Sequence, residues 1–346
     1  MKQKGRIVIN LVGITAAELY DLIKPEGFNI SHAVSITNSL YKKRIADLSL
    51  IKGIPKRLSF LLSTFAKISI FDPQERQISY DGSVKYLFRN KSGQLFETVC
   101  IPDGKRITVC VSTQSGCRMG CPFCVTAKYG FHGNLDTGDI INQVLAIEEA
   151  PFITNVVFMG MGEPLDNAEN VFKACEILSA EWGLALGARN ITVSTVGITP
   201  AVMQFLERTQ CNLALSLFSP FREERLKVIP AESKYPSSDI IEIMKSFPLK
   251  KKRRLSIAYV MISGVNDTDR HLSGLRDLLK YTGIRVNLLP YHRVPDDKYM
   301  SSSNEKMSHF KHSLITNGIS ASVRKSRGSD ISAACGLLAS GLTPGK

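Results

Sequence analysis

Cys117, Cys121 and Cys124 stand in the run Gly116–Cys117–Arg118–Met119–Gly120–Cys121–Pro122–Phe123–Cys124, a Cys-x3-Cys-x2-Cys spacing. Thiolates this close together are ligands for a metal rather than partners in a disulfide scaffold. Gly116, Gly120 and Pro122 let the backbone wrap tightly round a bound group. Three thiolates can bind three irons of a four-iron cluster and leave the fourth without a protein ligand. An open coordination position is what separates a reactive metal site from a closed structural one. Two plainer readings stand beside this one. Zinc could take the three cysteines with His132, or Cys110 could complete a closed electron-transfer cluster.

Other candidates lie further along the chain. The run Gly160–Met161–Gly162–Glu163–Pro164–Leu165 offers a flexible turn and a carboxylate. Gly-x-Gly without a third glycine is weak evidence for a dinucleotide loop, and no other Gly-rich phosphate loop occurs, so a Rossmann-type methyltransferase is not the reading. Ser194, Ser216 and Asn287 are each an ordinary strand-end polar residue when taken alone. Cys335, within Ala333–Ala334–Cys335, reads by itself as a small apolar loop residue, and Cys110 as a core strand residue. Cys100, Cys175 and Cys211 read as buried structural thiols.

Positioning these residues requires a repeated strand–helix unit. Candidate strands are Arg106–Ser112, Asn155–Met159, Asn190–Thr195, Asn212–Leu217, Leu255–Met261, Arg285–Leu289 and Ser320–Val323. Helical spacing fills the intervals at Asp139–Glu149, Ala168–Ala180, Pro200–Arg208, Ser238–Ser246, Asp269–Lys280 and Ser303–Asn317. The pattern predicts an α/β fold with a parallel sheet buried on both faces, open or curled toward a barrel. Ligands then belong at the C-terminal ends of the strands, which is where the candidates fall. Residues 1–72 read as a mostly helical accessory domain, with helices at Ala16–Leu22, Ile30–Ala46 and Arg57–Ala66. Residues 73–105 read as a β-rich connector, with strands Ile78–Tyr80, Val84–Phe88 and Leu95–Ile101 between turn signals. The barrel region is 106–323, and the Gly- and Ser-rich tail 324–346 reads as irregular.

The 346 residues are 44% hydrophobic and 22% charged, which are globular values. Lys and Arg exceed Asp and Glu by 44 to 31, a formal charge of +13 with a pI near 9.4. That excess favours a polyanionic partner such as RNA. Lys250–Lys251–Lys252–Arg253–Arg254 is the most concentrated patch, and Lys42, Lys43 and Arg44 are further candidate phosphate contacts. No segment approaches the roughly 18 apolar residues of a membrane span. Lys2, Lys4 and Arg6 before the apolar stretch Ile7–Ala17 mimic a signal peptide, but Asn10 interrupts the stretch and no cleavage site is clear. The cysteine usage reads as that of a cytoplasmic protein with a metal site, and a monomer is expected.

The cysteine loop matches the signature of the radical S-adenosylmethionine (SAM) superfamily, and Gly160–Pro164 resembles its Gly-Gly-Glu-Pro element. The match narrows at residues 324–338 (Arg-Lys-Ser-Arg-Gly-Ser-Asp-Ile-Ser-Ala-Ala-Cys-Gly-Leu-Leu), Val109–Ser112 with Gln114–Gly116, Tyr259–Asp267 and Asn287–Pro290. These closely resemble the RlmN/Cfr family of radical adenosine methyltransferases, over roughly 75–340. The resemblance implies a partial (βα)6-type barrel carrying one [4Fe-4S] cluster on Cys117, Cys121 and Cys124. It implies SAM held by Gly162, Glu163, Ser194, Ser216, Leu217, Phe218 and Asn287.

Carbons 2 and 8 of adenine are not nucleophiles, so the implied route is radical. Cys335 takes a methyl from one SAM, a second SAM is cleaved at the cluster, and the carbon on Cys335 adds to the base. Cys110 then forms a disulfide with Cys335, and Glu97 matches the family's proton acceptor. The implied substrate is an adenosine of 23S rRNA and of tRNA, with carbon 2 favoured over carbon 8. A reducing electron-transfer protein is the implied partner. Two departures stand out. The family usually has Ser-Leu-His where this chain has Ser216–Leu217–Phe218, and the N-terminal zone lacks the usual tryptophan, the only one being Trp182.

Overall fold

A computed structural model describes residues 8–248, 253–294, 298–339 and 342. At the N-terminal end, β1 (Ile9–Asn10), α1 (Ala16–Ile23), α2 (Ile30–Tyr41), α3 (Lys56–Phe65) and β2 (Ala66–Lys67) form a small packed unit, with β1 and β2 paired in parallel. Thr15 and Glu18 make a reciprocal capping box that starts α1. Leu11, Val12 and Ile14, part of the signal-like apolar stretch, are buried in the core. Helix α2 stops five residues short of Ala46. Arg44 turns left-handed (φ 55°), Ile45 N–H donates back to the Ser39 carbonyl, and the Arg44 guanidinium reaches the Ala150 carbonyl. Arg44 is therefore committed to an internal contact, whereas Lys42 and Lys43 are exposed.

The chain then builds one sheet. Its strands are β3 (Glu75–Ile78), β4 (Val84–Arg89), β5 (Leu95–Asp103) and β6 (Arg106–Cys110). After the small hairpin β7 (Gln114–Gly116) and β8 (Phe131–Asn134), which encloses helix α4 (Val125–Tyr129), strands and helices alternate. They run α5 (Thr137–Leu145), β9 (Asn155–Phe158), α6 (Ala168–Ser179), β10 (Ile191–Thr195), α7 (Thr199–Arg208), β11 (Asn212–Ser216), α8 (Arg222–Arg225), α9 (Ser237–Ser246), β12 (Leu255–Met261), α10 (Asp269–Leu279), β13 (Arg285–Pro290), α11 (Asn304–Thr316) and β14 (Ala321–Val323).

The sheet has ten strands in the order β14-β13-β12-β11-β10-β9-β6-β5-β4-β3. From β6 to β14 every pair is parallel and each strand lies beside its predecessor, so the winding never reverses. Right-handed crossovers in one direction put the helices on one face and leave the other to form a concave wall. β3, β4 and β5 continue the same sheet antiparallel beyond β6.

The two faces differ in composition. Val193, Leu213, Leu215, Ile257, Tyr259, Val286 and Leu288 lie on one face, buried in the main core. Across the other, Ser194 pairs with Ala214, and Ser216 pairs with Ala258, which pairs with Asn287 and it in turn with Ser322. Those residues are small or polar, and several are only half-buried. This second face, with Ala214 and Ala258 buried and Ser194 and Ser216 half-buried, is the wall of a cavity.

The basic run is also only partly a surface feature. Lys250, Lys251 and Lys252 lie outside the described residues. Arg253 is buried, donates to the carbonyls of Phe205, Leu206 and Thr209, and lies over the rings of Phe205 and Phe247. Arg254 is exposed.

Candidate active site

The cluster loop leaves β7 at Gly116. There φ is +76°, and a Cβ would stand 1.6 Å from the Gly130 carbonyl oxygen, so only glycine fits. Cys117 N–H donates to that same carbonyl at 2.9 Å, and the loop re-enters regular structure at α4 immediately after Cys124. All three cysteines line one cavity at the strand-end rim. Burial pushes Cys117 up to about 12 and Cys121 higher, and neighbouring loop cysteines raise each further. Thiols so placed ionise together only with a cation between them, which is what a cluster supplies. Among the described residues no three such side chains converge on the site of a single ion. His132, the fourth ligand of the zinc reading, lies outside the cavity lining, with Nε2 3.1 Å from the Tyr129 carbonyl oxygen.

The next wall is the turn after β9. Gly162 has φ +97°, and a Cβ there would come within 2.6 Å of the Gln114 side chain. Gln114 accepts from Glu163 N–H at 2.9 Å and donates to Asp166 at 2.7 Å, joining this turn to the hairpin. Arg118 forks onto Asp166 from the cluster loop, at 2.6 and 2.9 Å. Glu163 is buried and accepts from Leu165 N–H (3.0 Å) and Val196 N–H (2.9 Å). Burial pushes its carboxyl up to about 7 against those hydrogen bonds. A buried carboxylate at a cavity edge is a ready partner for an ammonium group.

Ser194 and Ser216 meet across the cavity wall, their hydroxyls 3.2 Å apart, and both line it, as does Phe218. Two expected cofactor contacts do not. Leu217 points into the main core and contributes a backbone bond to Ala258. Asn287 shares the face of Ala258 but accepts from the Ser322 hydroxyl at 2.9 Å and stands outside the lining.

The C-terminal segment is irregular, as its composition implies, but it is tied down. Gly328 N–H donates to Asp81 (2.8 Å), and Asp330 accepts from Ser79 Oγ (2.6 Å) and Tyr80 N–H (3.2 Å). Gly336 and Leu338 carbonyls accept from Val125 N–H and the Thr126 hydroxyl, at 2.9 and 3.0 Å. The loop thereby crosses the rim beside the cluster loop, and Cys335 projects into the cavity, exposed to it though surrounded by protein.

Cys110 ends β6 and is buried. Burial pushes both thiols above their ordinary value, and at Cys110 the neighbouring Cys335 adds to the shift. Arg324, just after β14, opposes the shift at both. Glu97 is buried, stands outside the cavity lining and has one partner on each oxygen. Oε1 pairs with Lys85 Nζ at 3.1 Å, and Oε2 accepts from Ala339 N–H at 2.7 Å. Cys100, Cys175 and Cys211 are buried, as expected, and none lines the cavity.

Some of the machinery carried no sequence signal. Arg225 is wholly buried, donates to the carbonyls of Val196 and Ser216, and pairs with the equally buried Glu232 at 2.8 Å. It thus braces the two strand-end turns that carry Glu163's partner and Ser216. Tyr291 and His292, from the loop after β13, also line the cavity, and burial holds His292 below its usual value.

Cysteines arranged to leave a cluster iron open, on the rim of a sheet wound in one direction, are shared by the radical SAM enzymes. The sequence model of the radical SAM superfamily matches residues 111–273. That class uses a four-iron cluster and SAM, and the residues here fit both.

The wider likeness is more particular. The chain is 40% identical over 328 residues to the probable dual-specificity RNA methyltransferase RlmN of Parabacteroides distasonis, covering 95% of this chain and 96% of that one. It is 37% identical over 336 residues to the dual-specificity RNA methyltransferase RlmN of Syntrophotalea carbinolica, covering 97% and 91%. A crystal structure of a radical SAM methyltransferase from Sphaerobacter thermophilus superposes with a TM-score of 0.86 at 37% identity, covering 96% and 99%. The chain belongs to the RlmN family of radical SAM RNA methyltransferases, and the family and fold expected from the sequence are both borne out.

Proposed function

We propose that this enzyme methylates a ring carbon of adenosine, carbon 2 in preference to carbon 8, in both 23S rRNA and tRNA; its relatives are named dual-specificity RNA methyltransferases. The observation that carries the reading is the presence of Cys335 in the same cavity as the three cluster cysteines, with the buried Cys110 thiol at the end of β6 pushed up by burial first and by Cys335 second.

In this reading Cys117, Cys121 and Cys124 hold the cluster, and Glu163, Gly162, Ser194 and Ser216 hold SAM. Phe218 adds an apolar wall, Leu217 backbone only, and Asn287 a position two strands further round. When bound, cluster and SAM supply an electron-driven cleavage that yields a carbon radical. Cys335 would accept a methyl group on its sulfur from SAM, and the turnover would require two SAM molecules. The S-methyl of Cys335 would give up a hydrogen atom to that carbon radical, and its carbon would bond to the adenine carbon. Glu97, tethered to the same loop through Ala339, takes the ring proton. Cys110, giving up its proton, attacks Cys335 sulfur; the bond from that sulfur to the transferred carbon breaks as the disulfide forms, the carbon takes up a proton to become the methyl group of the released base, and the one surplus electron would return to the cluster. A reducing protein then resets the pair.

The target adenine must be out of its stack to enter the cavity. Residues 1–72 serve as an RNA-contacting accessory domain, 73–105 as the connector that secures the C-terminal loop 324–346, and 106–323 as the barrel.

The test is nucleoside mass spectrometry after anaerobic turnover on a 23S rRNA fragment and on tRNA. The wild type is expected to give 2-methyladenosine in both. Cys335→Ala should give none, and Cys110→Ala should accumulate a protein–RNA adduct. Full turnover by Cys335→Ala would remove the proposal, and 8-methyladenosine as product would move it to the other carbon.

A further inference from the structure

The middle of the cluster loop is held by apolar contact. Its backbone is anchored at the ends, by Cys117 N–H to Gly130 and by Val125 N–H to Gly336. Between them Met119, Cys121, Phe123 and Cys124 pack into a separate apolar group with Phe218, Ile229 and their neighbours. The rings of Phe123 and Phe218 stack at 5.5 Å between centroids and 10° between planes.

Phe218 occupies this position at a conformational cost. Its φ is +65°, the left-handed region that bulky residues avoid. The conformation is held locally, by Ser219 N–H donating to the Leu217 carbonyl across Phe218 at 2.8 Å, and from outside. Buried Asn266 donates through Nδ2 to the Phe218 carbonyl (2.8 Å) and to the Val260 carbonyl (2.7 Å), and through Oδ1 accepts from Ile262 N–H (2.7 Å). The Tyr259 hydroxyl fixes Asn266 in turn, at 2.7 Å to its carbonyl. The effect is to turn the ring after Leu217 out of the main core and onto Phe123. Strain that surrounding bonds over-determine is characteristic of positions kept for function.

We propose that Phe218 clamps the cluster loop. Stacked on Phe123, it fixes the loop round the iron–sulfur cluster, keeps water from that side, and so holds the cluster's reduction potential low. Reduction adds negative charge to a group already bound by three thiolates. An apolar wall withholds the solvent and hydrogen-bond donors that would stabilise that charge, which moves the potential down. The inference rests on the iron–sulfur reading of the site.

Two variants test it in the full chain, reconstituted anaerobically. Phe218→Gly deletes the ring at a φ that glycine adopts without strain, so the backbone has no reason to misfold. Phe218→His keeps a ring but brings a hydrogen-bond donor to the wall. Circular dichroism melts establish folding, an EPR-monitored redox titration reads the potential, and iron release in air reads the clamp. Both variants are expected to show a more positive potential than the wild type, and Phe218→Gly to lose iron several-fold faster. Folded variants with wild-type potential and wild-type iron release would overturn the clamp. A wild-type protein that takes up no four-iron cluster would instead defeat the proposed function itself.

Discussion

Arg225 and Glu232 are a buried ion pair, at 0% and 1% side-chain exposure, that the reaction does not touch but the site depends on. A charge moved out of water is tolerable only while its partner and hydrogen bonds remain. Arg225 has two backbone carbonyls as well as Glu232, and Glu232 also accepts from Ser237 N–H at the start of α9. Glu232→Ala is therefore expected to lower stability by about 3–5 kcal/mol, read as a fall in the urea midpoint. Glu232→Gln, which can still accept from Ser237, should recover part of the loss. A cost below about 1 kcal/mol for the alanine variant, within the reach of a single neutral hydrogen bond, would mean that the carbonyls alone satisfy the guanidinium.

At the scale of elements, the N-terminus of α5 carries a titration that bears on stability. Asp136 caps the helix, and Asp139 sits in its first turn, accepting from Asn90 Nδ2 at 2.7 Å. Burial, with Asp136 beside it, pushes Asp139 up to about 6 from an ordinary 3.8. Between those two values the folded chain keeps a proton that the unfolded chain has released. Stability should then fall as the pH rises from about 4 to about 6 and level off above. Asp139→Asn should remove that slope and be more stable than the wild type at pH 7, by on the order of 2 kcal/mol. Urea midpoints at pH 5 and pH 7 decide it. Parallel curves for the two proteins would show that Asp139 does not titrate in this window.

At the scale of the whole molecule, the formal charge of +13 governs how RNA is met. The structure removes Arg253 and Arg44 from the free cations by giving each an internal partner, and leaves Lys42, Lys43 and Arg254 exposed. A complex that neutralises about six phosphates loses on the order of 1,000-fold in affinity between 50 and 200 mM salt. A filter-binding titration across that range should show at least a tenfold loss, by the same counterion argument. A flat profile would mean that the charge excess is not used on the backbone. Among the described residues no helix is long and apolar enough to cross a membrane.

What was legible in the sequence was local. Strand alternation, helical spacing and the glycines of two turns depend on near neighbours, and they located most elements within a few residues as well as the cysteine loop. Cys117, Cys121 and Cys124 could be picked out from the spacing and composition of their short run, and Glu163 from the resemblance of its run to a family element. The tertiary structure alone decided which strand-end residues share the cavity, admitting Ser194, Ser216 and Phe218 and turning Leu217 into the core. It alone brought the C-terminal loop to the rim, through contacts 251 residues apart between Ser79 and Asp330 and 242 apart between Glu97 and Ala339. Such pairings leave no periodicity in the chain, because they are fixed only when the sheet has put its first strands and its last loop side by side.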